Sequence, residues 1–350
     1  MKYMPNIVSN EALCEKLILN IHLSTLSHAY IIEGKSGSGK FTIARNIAAA
    51  LACKNKNDLS LPIPCTKCSS CLKVLSDKSP DVIIVERNKD KSSISVDQIR
   101  NMRTDTAVFP NELDYKLYII KEADTMTVEA QNALLLTLEE PPSYIIIILL
   151  CESSQQLLET IKSRAPTLRT LPVSTDDIDN YLIGGCGGNI KVANAARKLK
   201  TNSKDEYQEM LFISDGCIGT AITLLDAKKR EPLLRERQLV KKLIDYLKST
   251  QSSTEVYEIF NELPQKRPEL SSFFLMLQIA IRDLLLYKKS DYVQLCYFSS
   301  PEDALTTSER FTEKNLLQIY NACEDALSAM RNNANIKLTV TELFIKTGLY

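Results

Sequence analysis

Four short apolar runs, rich in β-branched residues, alternate with helix-like segments in the first half of this sequence. The runs are Ala29–Glu33, Val82–Glu86, Leu117–Ile120 and Tyr144–Cys151. They do not alternate polar and apolar residues, which is typical of strands buried on both faces of a sheet. Thr167–Leu171 is a weaker fifth run, and Thr42–Cys53 and Val128–Leu138 have apolar residues at helical spacing. This alternation predicts an α/β domain with a mainly parallel sheet.

The pattern changes near Pro172, and helical periodicity dominates from there to residue 350. Ser174 is expected to cap the next helix, with Asp177 three residues further on. The other helical segments are Asn189–Leu199, Tyr207–Ile213, Ile218–Ala227, Leu234–Leu247, Leu270–Tyr287, Glu313–Met330 and Val340–Leu349. We predict an α/β domain over residues 1–172, a small helical domain over 173–230 and an all-α domain over 231–350, a number of domains consistent with the length.

Charge and hydropathy exclude some classes of function. The 43 Lys and Arg residues offset the 43 Asp and Glu residues, so bulk charge gives no evidence for nucleic-acid binding. The longest apolar run is far shorter than the ~20 residues of a membrane helix, and the N-terminus lacks the apolar core of a signal peptide. We therefore expect a cytoplasmic protein without a membrane partner, whose ten cysteines are not disulfide-bonded.

A glycine-rich segment joins the first predicted strand to the first predicted helix. It reads GKSGSGK and has the GxxxxGK pattern of a phosphate-binding loop, with Gly34, Gly39 and Lys40 at the defining positions and Gly37 between them. The glycines let backbone N–H groups turn towards phosphate oxygens at the positive end of a helix, and Lys40 would reach the β- and γ-phosphates. The alternative is an ordinary glycine-rich turn.

The residue after this lysine is unsuited to magnesium chemistry. A hydroxyl that ligates Mg²⁺ is expected there, but the residue is Phe41. Thr42 cannot simply substitute, because one helical step rotates a side chain by about 100°. The sequence predicts a degenerate ATP or ADP site, formed by the loop and Thr42, with weak or absent nucleotide binding and a poorly held metal.

A second departure lies after the third strand. An Asp that binds Mg²⁺ through water is expected at the end of this strand, but the residue is Lys121, followed by Glu122 and Asp124. A cation would repel the metal. The two acids have an alternative interpretation as the start of the next helix, where acidic residues suit the helix dipole.

A cysteine cluster follows the first helix. Cys65, Cys68 and Cys71 form CxxCxxC, and Cys53 precedes them. Four thiolates fit a closed, structural Zn²⁺ site, a zinc knuckle over residues 53–71. An iron–sulfur cluster is the alternative, although Cys53 on a helix and the lack of other redox motifs favour zinc; free thiols are a third interpretation. The remaining cysteines are scattered and are expected to be small apolar core residues.

A Ser-Arg pair, Ser163 and Arg164, follows the fourth strand. The arginine has two interpretations. It is either an ordinary solvated side chain or an arginine finger that acts in trans on a nucleotide held by a neighbouring subunit.

Taken together, these motifs resemble the bacterial clamp-loader family of AAA+ proteins. The matching stretches are His28–Tyr30, the cysteine cluster, Ile94–Arg100, Lys116–Asp124, Asn132–Leu135, Leu138–Pro142 and Thr160–Arg164. They cover about residues 20–172, and Gly216–Ala221 is similar to the family's helical lid. Some positions depart from the family pattern: Ala165 stands where a cysteine is usual, Leu136 where a lysine is common, and Gly219 near the place of a nucleotide-sensing arginine.

The resemblance implies an AAA+ α/β domain, a helical lid and a helical collar that joins subunits in a ring. Such a ring, with gamma/tau and delta subunits, loads the sliding clamp onto primed DNA as part of the DNA polymerase III holoenzyme. Phe41 and Lys121 favour the family's non-hydrolysing stator, with Arg164 as a trans finger beside Ser163. The alternative is an active gamma-type ATPase motor.

Overall fold

The computed structural model describes residues 4, 7–23, 25–56, 58, 61–88, 90–185, 188–247, 253–290 and 295–348. The chain separates into two compact units. The first unit comprises Met1–Tyr207 and Gly216–Thr223, and the second comprises Gln208–Asp215 and Leu224–Tyr350. The first unit thus joins the α/β region to much of the predicted lid, and the three-domain division stays a prediction.

A five-stranded parallel sheet forms the centre of the described part of the first unit, in the order β2-β3-β4-β1-β5. The strands are β1 (Ala29–Glu33), β2 (Val82–Val85), β3 (Lys116–Ile120), β4 (Ile145–Cys151) and β5 (Thr167–Arg169). All five predicted runs are strands. The central strand β4 is buried along its whole length, but β2 is only half-buried, because it lies at an edge of the sheet. The prediction that β2 is buried on both faces was wrong.

Helices cover both faces of this sheet. They are α1 (Glu11–His22), α2 (Lys40–Leu51), α3 (Ser69–Leu75), α4 (Val96–Asp105), α5 (Val128–Glu139) and α6 (Glu159–Lys162). Alternate residues of β1 enter two separate apolar clusters: Tyr30 and Ile32 join α1 and α2, whereas Ala29 and Ile31 join α4 and α5. The result is a three-layer α/β domain around a parallel sheet, as predicted.

Every described element after β5 is a helix. They are α7 (Thr175–Ile183), α8 (Ile190–Asn202), α9 (Lys204–Ile213), α10 (Ile218–Leu224), α11 (Ala227–Tyr246), α12 (Ser253–Glu262), α13 (Arg267–Tyr287), α14 (Pro301–Glu309), α15 (Glu313–Arg331) and α16 (Ile336–Thr347). The Ser174 hydroxyl accepts the N–H of Asp177 at 3.1 Å, which confirms the predicted cap. The predicted all-α character of the C-terminal part is also confirmed.

Helix α13 is the centre of the second unit's apolar core. By length and composition alone it is long and apolar enough to cross a membrane, with a mean hydropathy of 1.5 over 18 residues. Half of that window is buried inside the protein, and Phe273, Phe274 and Leu277 on α13 are fully buried. Core helices of soluble proteins pass the same test, so this helix gives only weak evidence for a membrane span.

Candidate functional site

The predicted phosphate loop turns sharply between β1 and α2. Gly37 and Gly39 have φ angles of 75° and 87°, in the left-handed region that glycine adopts without strain. A side chain at Gly34 would meet the Thr170 hydroxyl at 1.9 Å. The first N–H groups of α2 have no acceptor within the helix, as at every helix start, so the loop has the backbone of an anion site.

The loop's lysine is held by the loop itself. The Lys40 ammonium donates to the carbonyl oxygens of Gly34 and, at 2.8 Å, of Lys35. Burial lowers the pKa of Lys40, and the nearby carboxylate of Glu152 acts in the opposite direction. A phosphate would therefore replace carbonyl groups as the partner of this ammonium.

The start of α10 lies directly on the loop. The Gly219 N–H donates to the Gly37 carbonyl at 2.9 Å, and the Thr220 hydroxyl donates to the Ser36 carbonyl at 3.2 Å. A Cβ atom at position 219 would come within 2.9 Å of the Gly37 Cα, closer than real Cβ atoms approach. A glycine at position 219 is thus what permits this contact.

The two residues that depart from a magnesium site are in contact with each other. The Lys121 ammonium lies 4.5 Å from the centre of the Phe41 ring, within the range of a cation–π interaction. It also forms an ion pair of 2.8 Å with Glu86. Phe41 packs against the apolar cluster beneath α2. An aromatic ring and an ammonium therefore occupy the positions expected to carry a hydroxyl and a carboxylate.

The two acids that follow Lys121 already have protein partners. Glu122 pairs with Arg87, and an oxygen of Asp124 accepts the Glu152 N–H at 2.9 Å. The stretch Ala123–Thr125 is a short 3-10 helix, and α5 begins only at Val128. The acids thus precede α5 without being part of its first turn.

A cleft of about 410 Å³ opens beside the loop, a size in the range of small-molecule sites. Residues from Ser36 to Ile43 line it, together with Lys121, Glu122, Asp124 and Glu152. The lining also includes Ile7, Val8, Tyr181, Ile218 and Ile222. The exposed side chain of Thr42 lies in the lining too, one step beyond Phe41. The cleft thus combines a phosphate loop with several apolar side chains.

The four predicted metal-binding cysteines meet in one place. The sulfur atoms of Cys53, Cys65, Cys68 and Cys71 all lie within 4.8 Å of one another. Cys65 and Cys71 are 4.0 Å apart, and tetrahedral zinc with Zn–S bonds of about 2.3 Å places its sulfur ligands about 3.8 Å apart. The donor set and its spacing fit a tetrahedral metal ion.

Local hydrogen bonds favour a thiolate at one of these sulfurs. Burial raises the pKa of Cys65, but N–H groups of Lys67 and Cys68 outweigh this effect and lower it to about 6. The Cys68 N–H lies 3.4 Å from the Cys65 sulfur. Turns in which backbone N–H groups point at sulfur are suited to a metal-bound thiolate.

Most other cysteines are core residues, as predicted. Cys14, Cys151, Cys217 and Cys323 are buried. Cys296 is exposed, so the prediction was wrong there, and Cys186 lies outside the described residues.

The Ser-Arg pair lies just after α6, at the surface. The Arg164 guanidinium donates to Glu139 at 2.9 Å and to the Thr160 carbonyl at 3.0 Å, and its side chain keeps 35% of its accessible surface. The Ser163 hydroxyl donates to the same carbonyl at 3.0 Å. The finger candidate is therefore oriented by its own subunit and still accessible.

Two partner residues were missed by the sequence analysis, namely Glu86 and Glu139. Each is an acid at the end of a strand or helix. Glu86 lies 35 residues before its partner Lys121, and Glu139 lies 25 residues before its partner Arg164. No spacing rule connects residues so far apart. The Glu-Glu-Pro-Pro segment was the one available signal for Glu139.

Residues 9–174 match the family described as DNA polymerase III, delta subunit. The DNA polymerase III subunit delta' of Bacillus subtilis is 38% identical over 169 residues, which is 48% of this chain and 50% of that protein. The subunit delta' of Pseudomonas aeruginosa is 28% identical over 68% of this chain and 67% of its own length. Subunit tau of Bacillus subtilis is 27% identical over 81% of this chain and 50% of its own length.

The chain thus spans about half the length of both Bacillus relatives. The matched region contains the phosphate loop, the cysteine cluster and the Ser-Arg pair. Residues 9–174, just under half of the chain, are thus similar to the DNA polymerase III delta-subunit family, and two of the similar proteins are delta' subunits.

Proposed function

We propose that this chain is a clamp-loader subunit of DNA polymerase III that does not hydrolyse ATP itself. The contact between Lys121 and Phe41 carries this proposal. Phosphoryl transfer depends on a metal ion that bridges the β- and γ-phosphates. A site with an ammonium and an aromatic ring at the two ligand positions lacks the means to hold that ion.

Arg164 is the group through which such a subunit would act on catalysis. Its guanidinium is accessible and held in a fixed orientation by Glu139 and Thr160. Inserted into the ATP site of an adjacent subunit, it would stabilise the negative charge that develops on the γ-phosphate, as arginine fingers do in GTPases. Ser163 would help to fix the turn that presents it.

The partners follow from the same proposal. The chain would assemble in the cytoplasm with gamma/tau and delta subunits, and would contact the sliding clamp and primed DNA within that complex. Relatives named as delta' and gamma or tau subunits support a place in the complex. With a net charge of zero, the chain is not expected to bind DNA strongly by itself.

The cysteine cluster would hold one structural Zn²⁺ ion. Four sulfur donors leave no open coordination position, so the ion would stabilise the turn between α2 and α3 without taking part in a reaction. Burial of Cys53, Cys65 and Cys71 supports this role.

Two measurements test the proposal. The purified chain should show no Mg²⁺-dependent ATP hydrolysis above that of its Lys40→Ala variant. In the reconstituted complex, Arg164→Ala should lower DNA-stimulated ATPase and clamp loading, whereas a chain with Lys198→Ala, an exposed cation of α8 outside the cleft, should match the wild type. Unchanged ATPase and loading with Arg164→Ala would refute the finger role.

The second candidate is an active gamma-type motor. The tau relative favours it, because the similarity extends over 81% of this chain. ATP turnover by the isolated chain that Lys40→Ala abolishes would establish the motor and exclude the stator.

A further inference from the structure

The cleft beside the phosphate loop combines features of a nucleotide site with the loss of its metal ligands. The loop has its glycine conformations and its lysine, and the cleft lining includes the apolar residues Ile7, Val8 and Ile218. The hydroxyl and the carboxylate that would hold Mg²⁺ are replaced by Phe41 and Lys121. A nucleotide bound here would need another source of positive charge for its phosphates.

Lys121 provides that charge. Lys121 is the first residue after β3. Its ammonium lies 4.5 Å from the centre of the Phe41 ring and 2.8 Å from the Glu86 carboxylate. Phe41 and Lys121 stand at the two positions where metal ligands are expected, and both line the cleft together with the phosphate loop. About a third of the Lys121 side chain is exposed.

The acids near the cleft do not restore a metal site. Glu122 is paired with Arg87, and Asp124 accepts the Glu152 N–H. Glu152 lies close enough to Lys40 to influence its pKa. A divalent ion placed among these groups would meet the Lys121 ammonium at short range, where like charges repel strongly.

We propose that the cleft binds a nucleoside di- or triphosphate without a divalent metal, with the Lys121 ammonium as the built-in counter-charge. Lys40 and the N–H groups at the start of α2 hold the phosphates from one side and Lys121 from the other. The base packs against apolar residues of the cleft lining, namely Ile7, Val8 and Ile218. Binding would stabilise the first unit and would not lead to hydrolysis. The proposal does not use Arg164, so it stands or falls separately from the finger role.

The test is ADP binding to the full chain by calorimetry, in EDTA and in excess Mg²⁺. The wild type should bind ADP in EDTA at least as tightly as in Mg²⁺. Lys121→Met, which removes the charge and keeps the length, should weaken binding in EDTA about tenfold or more, the loss expected for one charged phosphate contact. Lys121→Asp should weaken it further in EDTA, and Mg²⁺ should then improve it.

Controls separate this effect from general charge or folding. Lys198→Asp makes the same charge change on the exposed part of α8, outside the cleft, and should leave the dissociation constant unchanged. Circular dichroism and urea unfolding check that each variant is folded. Inorganic pyrophosphate should bind at least tenfold more weakly than ADP, because it lacks the base.

Several results would overturn the proposal. They are the absence of ADP binding at millimolar concentration in both buffers, a tenfold gain in wild-type affinity on addition of Mg²⁺, and unchanged affinity in a folded Lys121→Met variant. Equal affinity for pyrophosphate and ADP would overturn the assignment of a nucleoside.

Discussion

The ammonium of Lys121 lies over the ring of Phe41, with 4.5 Å between the nitrogen and the ring centre. In sequence these residues are far apart and look like two independent losses. In the structure they are a single interaction, because the ring takes the place of one metal ligand and supports the cation that takes the place of the other. A hydroxyl residue introduced at position 41 alone would leave Lys121 in the site, and an Asp introduced at position 121 alone would leave Phe41 there.

This contact predicts a measurable coupling between the two side chains. In a double-mutant cycle with Phe41→Leu and Lys121→Met, we expect an interaction free energy of about 0.5–1 kcal/mol, the usual range for a partly exposed cation–π pair. Urea unfolding of the four proteins would measure it. The same cycle with Phe41→Leu and Lys198→Met should give no coupling, and equal values in the two cycles would contradict a specific contact.

Loss of one cluster cysteine should remove the metal. We expect about one Zn²⁺ per chain, and none in Cys71→Ser, because three thiolates and a buried hydroxyl no longer form a closed site. The variant should also unfold at lower urea concentration, since metal binding contributes to folding free energy. Elemental analysis and urea unfolding measure the two effects. Cys296→Ser, at an exposed position, is the matched control and should keep its zinc; wild-type protein without zinc or iron would refute the site.

Asp105 at the end of α4 should make stability depend on acid pH. Partial burial raises the pKa of its carboxyl, but the hydrogen bond from Tyr118 at 2.7 Å and the charge of Lys116 hold it below its ordinary value. The Asp105 carboxylate therefore makes its full contribution to the free energy of unfolding above the pKa of the unfolded state, about 3.9. This contribution is lost as the pH falls through the lower pKa of the folded state. Asp105→Asn should cost about 1 kcal/mol at pH 7, a typical net value for such a bond.

The cost of Asp105→Asn should shrink towards zero as the pH falls below 4, as measured by urea unfolding across that range. Asp114→Asn, at an exposed acid that pairs with Lys56 on the surface, should have little effect at any pH. A cost that stays constant down to pH 3 would show that the carboxylate charge is not what stabilises this contact.

The sequence predicted the elements of this fold better than their contacts. The strands were located to within two residues at each end, because four of them are continuous runs of apolar, mostly β-branched residues and the fifth is a weaker run of the same kind. Helix α11 was predicted from Leu234, after Pro232, yet it begins at Ala227 and contains the proline. The sequence rule that a proline ends a helix is a preference, and packing elsewhere along the helix can outweigh it.

The candidate site shows the same limit. The loop, the cysteines and the Ser-Arg pair were found because their residues are close in sequence. The pairs Phe41–Lys121, Glu86–Lys121 and Gly37–Gly219 join separate elements, and periodicity carries no information about which elements meet. In the sequence, Glu139 is recognisable only as part of the stretch Leu138–Pro142. Its role as the partner of Arg164 depends on where α5 ends relative to α6.

The pair of Arg164 and Glu139 allows the finger role to be separated from a structural one. The ion pair is largely exposed, so Glu139→Ala should change the free energy of unfolding by less than about 1 kcal/mol. In the reconstituted complex, however, loss of the carboxylate frees the guanidinium to rotate. We expect DNA-stimulated ATPase to fall severalfold with Glu139→Ala, and further with Arg164→Ala.

If Glu139 acts only by orienting Arg164, the double variant should match Arg164→Ala alone, because residues that act as a unit are not additive. Glu159→Ala, an exposed acid on α6 that pairs with Lys162, provides the control and should leave ATPase unchanged. Additive losses in the double variant would mean that Glu139 affects the complex by a route that does not involve Arg164.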